Sequence, residues 1–133
     1  MRTFITDSVV LPADAERLFA MYLDPVVHAG FTGHPVTIGS QAGAKFKAFG
    51  GQLSGEVLRV VTPQLIVQSW RSTNFSADDP DSTLILMFCA DVTGGRIELT
   101  HLDVPDHELQ DVSDGWRRHY WEPWREFLSA NRA

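Results

Sequence analysis

Between residues 3 and 11, apolar side chains alternate loosely with polar ones in a stretch rich in Ile, Val and Thr, a pattern that predicts a strand. Pro12-Ala13-Asp14-Ala15-Glu16 then looks like a helix start, with an early proline and acids where the macrodipole is positive. Leu18, Phe19, Met21 and Tyr22 give a short helix its apolar face, and Asp24-Pro25 ends it. Pro25 opens a second helical turn through His28, while 31–33 and 39–43 read as loops.

After these loops the period changes to two. Residues 45–49, the dipeptide Gly50-Gly51 and residues 52–61 predict a β-hairpin, because glycine supplies the positive φ that a tight turn needs. A turn at 62–64 leads to a strand over 65–71, and a polar loop covers 72–81. The most apolar strand spans 83–92, and Thr93-Gly94-Gly95 turns it into a last strand over 96–103.

From Asp111 to Ala130 the period is helical. Val112, Trp116, Tyr120, Trp124, Phe127 and Leu128 form one continuous stripe. Pro123 lies inside it; its missing N–H frees the carbonyl of His119, which predicts a bend near Tyr120. The strands come in a run and not in βαβ alternation, so the class is α+β. The architecture expected is a curved antiparallel sheet of about six or seven strands around a long C-terminal helix, with two short helices after the first strand.

The chain has 133 residues, which suits one domain spanning 1–133. With 11 Lys plus Arg against 17 Asp plus Glu, the net charge is −6, which argues against nucleic acid and anionic membranes as partners. The longest apolar run, 84–90, is too short to span a membrane, and no secretory signal precedes residue 7, so the expected compartment is the cytoplasm.

Candidate chemistry is sparse. The only cysteine, Cys89, excludes an internal disulfide and a Cys-based metal cluster, and its apolar strand predicts plain packing. His119 and Glu122 share a helix face at i, i+3, but no second Glu-x-x-His exists, so they read as a solvated pair and no metal is expected. His107 and Glu108 diverge, and Asp78, Asp79 and Asp81 lack the acid that would complete a calcium loop; they too read as solvated. No glycine string has phosphate-loop form, and no cofactor is implied. By period two, His101 shares the inner face with Ile97 and Leu99, as a hydrogen-bonded core residue or as a polar contact or acid–base group.

Several strings in order resemble a known family: Leu11 to Glu16 followed by Phe19, Phe31-Thr32-Gly33, Gly50-Gly51 leading to Gly55, Pro63 followed by Ile66 to Arg71, Ser82 before a strand, and Gly115-Trp116 opening the last helix. Over about residues 3 to 130 the chain resembles the heat-shock protein 90 ATPase activator domain family, within the START-like, polyketide-cyclase-like helix-grip superfamily. The resemblance implies a helix-grip fold, often with a cavity between sheet and helix. With the aromatic stripe it makes a small hydrophobic molecule the first expected partner. The candidate walls are Phe46, Trp70, Phe88, Leu99, Trp116 and Tyr120, with His101 as the polar contact. The alternatives are a co-chaperone-like module with a chaperone as partner, and a cyclase- or hydrolase-like enzyme using His101. No catalytic pair is readable from spacing, which leans the reading toward binding; a homodimer is left open.

Overall fold

A computed structural model describes residues 2–131. Strand β1 (Arg2–Leu11) leads to helices α1 (Ala15–Leu23) and α2 (Pro25–Thr32), then to β2 (Lys45–Ala48), β3 (Leu53–Val61), β4 (Leu65–Ser72), β5 (Ser82–Asp91) and β6 (Gly94–Pro105). The remainder is helical: α3 (Leu109–Trp116), a π turn (Arg117–Trp121) and α4 (Glu122–Ala130). The six strands make one curved antiparallel sheet in the order β1-β6-β5-β4-β3-β2.

Local chemistry explains the two short helices. Asp14 caps α1 by accepting from the Arg17 N–H, and Asp24 caps α2 by accepting from Val26 and Val27, with Pro25 at the first helical position. Gly33 ends α2 in the left-handed region at φ 82°. This corrects the expectation that the second helix stops at His28. The cap and the glycine carry it to Thr32, and Phe31 is a buried helical residue instead of a loop residue.

Strict alternation sets the inner face of the sheet. Ile66, Gln68 and Trp70 of β4, Leu84, Leu86 and Phe88 of β5, and Ile97, Leu99 and His101 of β6 are all buried. The same alternation corrects the expectation for Cys89. Next to buried Phe88 it faces outward, half-buried opposite Arg96. A bulge near the end of β6, with Asp103 at φ 62°, resets the phase so that Leu102 and Asp103 are exposed and Val104 is buried. On β3, Gly55 lies so close to β4 that a Cβ would collide with the Ser69 carbonyl.

The bend predicted near Tyr120 is a π turn. The Glu122 N–H donates to the carbonyl of Arg117, five residues back, one residue before Pro123. The widened turn brings both Tyr120 and Trp121 inward. Trp121, off the four-residue stripe, donates its indole N–H to Asp7 Oδ2 at 2.9 Å and ties the helix to β1. Under α4 the space is filled, because Phe31 stacks on Trp124 with centroids 4.2 Å apart and planes 6° apart.

Candidate functional site

Where α3 passes the open ends of β3 and β4, the aromatic packing stops and a cleft of about 340 Å³ remains. Trp70, Trp116 and Tyr120 form its wall with Phe49, Leu53 and Val112, and its rim carries Glu108, Asp111, Asp114, Arg118 and His119. Phe49 reaches the wall from a tight turn over Phe49–Gly51, itself at φ 53° and followed by Gly50 at 65° and Gly51 at 88°. That turn replaces the expected two-residue hairpin loop. Gly115 also lines the cleft; a Cβ there would meet only His119 Cδ2, at 3.8 Å, an ordinary van der Waals contact.

Of the seven candidate residues, Trp70, Trp116 and Tyr120 line this cleft, and the structure brings them together: Trp116 lies 6.3 Å from Trp70 and 4.8 Å from Tyr120, between ring centroids. Phe46, Phe88, Leu99 and His101 belong to the packed core beyond it. Phe88 meets Phe19 edge-to-face at 5.5 Å under α1, and Leu99 faces inward on β6.

His101 has both ring nitrogens engaged. Trp116 donates its indole N–H to Nδ1 at 3.2 Å, which leaves the proton of the neutral ring on Nε2. Nε2 then donates to Ser82 Oγ at 2.8 Å, and Ser82 donates to the carbonyl of Trp70 at 2.6 Å. Every donor in this chain has one acceptor. Burial alone pushes the His101 pKa down to about 3, so the ring stays neutral and has no free nitrogen to offer a substrate.

A second buried histidine, His28, carries a parallel arrangement. Its Nδ1–H donates to the carbonyl of Tyr22 at 2.8 Å, and its Nε2 accepts from the Tyr120 hydroxyl at 2.9 Å. Burial pushes its pKa down to about 4, with the Tyr22 carbonyl pulling weakly the other way. Burial also raises the Tyr120 phenol well above its ordinary value. Tyr22, raised by burial and then by Tyr120, donates to Gln68 Oε1 at 2.6 Å. The wall tyrosine of the cleft is thus anchored from behind by His28, which stacks on Phe31 at 5.0 Å. The one-dimensional signal for His28 was its place near an apolar helical turn; nothing local pointed to a tyrosine 92 positions away.

The polar loop is organised, not merely solvated. Arg71 donates to the carbonyls of Asp79 and Ser76 and to Asp81 Oδ1, and Asp79 Oδ2 accepts from the Ser76 N–H and from His107 Nε2 at 3.0 Å. Asp79 lies below the usual carboxylate range, through that histidine first. His119 is exposed, and Glu122 pairs with Arg117 at 2.8 Å. Among the described residues no group of three or more His, Cys, Asp or Glu could hold a metal ion. None of the described helices is long and apolar enough to cross a membrane.

The sheet curved around the C-terminal helix defines an α+β helix-grip fold. The family model described as "Activator of Hsp90 ATPase homolog 1-like protein" matches residues 12–126, and the chain belongs to that family. It is 26% identical over 107 residues to the human activator of 90 kDa heat shock protein ATPase homolog 1, covering 80% of this chain and 31% of that protein. Mouse homolog 2 is 24% identical over 107 residues, with 80% and 32% covered. The chain therefore spans about a third of the length of the curated relatives it matches. Among solved structures, PFC0360w, described as an HSP90 activator from Plasmodium falciparum, superposes with a TM-score of 0.80 at 23% identity, covering 97% of this chain and 96% of that one. CalU16 from Micromonospora echinospora gives 0.76 at 21% identity, covering 98% and 75%. At these identities the likeness establishes the fold.

Proposed function

We propose that this chain is a single helix-grip domain, acting in the cytoplasm, that binds a small amphiphilic molecule in the cleft between α3 and the ends of β3 and β4. One observation carries the reading: three large aromatic side chains, from β4, α3 and the π turn, converge with Phe49, Leu53 and Val112 on about 340 Å³ of space at the end of the grip. That volume, with apolar walls and a polar rim, is what small-molecule sites offer. The commitment of both His101 nitrogens supports binding over acid–base catalysis by that residue. Native mass spectrometry and tryptophan-quenching titration against fatty acids, aromatic polyketides and amphiphilic amines test it. A one-to-one complex that quenches fluorescence is expected. Failure of the whole panel to bind at millimolar concentration overturns it.

A second reading is favoured by the relatives: several are named as activators of the 90 kDa heat-shock protein ATPase, and one of similar extent is described as such an activator. In this reading the domain stimulates a chaperone of that class. Chaperone ATPase turnover with saturating domain, compared with turnover without it, decides: a rise supports stimulation, and unchanged turnover eliminates it.

A further inference from the structure

Among the described acids, Glu108 stands apart. It closes the short 3-10 turn that precedes α3, is only 9% exposed and lines the cleft, yet its carboxylate accepts no hydrogen bond. It does not cap the helix it precedes. Its one ion pair is long, 3.8 Å from Oε2 to Nδ1 of His107, whose Nε2 is already engaged by Asp79. The carboxylate thus lines the cleft with acceptor capacity that no donor among the described residues fills, and a cation delivered there would fill it.

We propose, resting on the cleft being a binding site, that it selects cationic amphiphiles: small molecules with an aromatic or alkyl body and one ammonium group, the ammonium held by Glu108. The other charges around the cleft agree. Asp111 and Asp114 stand on the same rim, Asp114 accepting from Gln110, while Arg118 and His119 are the basic groups and both are exposed. With Glu108, three acids outnumber Arg118, so a fatty-acid or phosphate head group would meet net negative charge and an ammonium group would be drawn in. The aromatic wall suits the same ligand, because Trp and Tyr rings attract cations as well as apolar bodies. The body would lie against Trp70, Trp116 and Tyr120, and the charge would sit at the α3 end.

The test uses three compounds that share an indole body: tryptamine, tryptophol and indole-3-propionate. Each is titrated into ¹⁵N-labelled wild type and Glu108→Gln, with amide shifts around Leu53, Val112 and Gly115 as readout. Tryptamine should bind wild type about tenfold more tightly than tryptophol, with indole-3-propionate weakest. Glu108→Gln should abolish the tryptamine advantage over tryptophol. If the variant does not fold, ionic strength serves instead: going from about 0.01 M to about 1 M should weaken tryptamine and spare tryptophol. Equal affinity for tryptamine and tryptophol in wild type overturns the charge selection while leaving the cleft as a site. Unmoved cleft resonances with all three overturn the site itself.

Discussion

The hydroxyl of Tyr120 donates to Nε2 of His28 across 2.9 Å, joining the grip helix to the second short helix inside the core. The bond sets which face of Tyr120 is free to line the cleft, and it holds His28 as the Nδ1–H tautomer, because Nδ1 donates to the Tyr22 carbonyl. Tyr120→Phe removes the only donor to Nε2 among the described residues and leaves a buried acceptor unpaired. The expected loss is about 1–3 kcal/mol in urea unfolding. A variant as stable as wild type would show that the bond contributes nothing.

Acid should destabilise the fold early. His28 and His101 hold folded pKa values of about 4 and about 3, against 6.5 in the unfolded chain. Below pH 6.5 the unfolded chain takes up protons that the folded chain refuses. Stability from these two groups is therefore complete above pH 6.5 and lost as pH falls toward their folded values. The proton difference approaches two only near pH 5, where the slope is about 2.5 kcal/mol per pH unit, and it is smaller at pH 6 and pH 4. Unfolding free energies measured across that range check it, and a flat profile contradicts it.

His101 acts in the fold through Ser82. Ser82→Ala leaves the Nε2–H of His101 without its acceptor and removes the hydroxyl's bond to the Trp70 carbonyl, both buried behind the cleft wall. A loss of about 1–3 kcal/mol is expected. The accompanying NMR signature is displacement of the Trp116 indole N–H resonance, since that proton is donated to the same ring.

The His107–Asp79 contact, which joins the polar loop to the turn before α3, titrates in the opposite direction. Hydrogen bonding to Asp79 raises the His107 pKa, and the same contact lowers that of Asp79. The contribution of His107 is complete below its unfolded value and fades as pH rises through the folded one; that of Asp79 fades as pH falls through its own. The clasp is thus strongest in the mildly acidic window between them. An NMR titration should give His107 a pKa above the ordinary histidine value, returning toward it in Asp79→Asn; an unshifted His107 in wild type refutes the clasp.

Much of the fold was readable because strands buried on one face announce themselves. Ile97, Leu99 and His101 alternate as the sheet demands, and the inward direction of His101 followed from its two neighbours. Helices were less legible where caps outweigh periodicity. Pro25 to Thr32 is short and apolar on several sides, so Asp24 and Gly33 define it, and Phe31 was lost with its C-terminal turn. Pro123 signalled a disturbance at Tyr120, but the π turn and the inward swing of Trp121 depend on packing against β1. The cleft was the least visible part. Its aromatic wall came from a helical stripe, whereas Glu108 looked like any surface acid until the turn before α3 buried it.

Gly115 separates stability from binding. It lies in α3, lines the cleft and has room for a Cβ. Gly115→Ala should raise stability by about 0.5–1 kcal/mol, because a helical glycine costs backbone entropy. A thermal melt of Gly115→Ala beside wild type checks it, and an unchanged or lowered melting temperature contradicts it.

The most direct test of the cleft is the affinity of Gly115→Leu for tryptophol, measured by calorimetry beside wild type and paired with a thermal melt. A leucine side chain added to this cleft-lining position would take up ligand space, so affinity should drop by about tenfold or more while the melting temperature holds or rises. Wild-type affinity in a well-folded Gly115→Leu protein would place the ligand elsewhere and contradict the account.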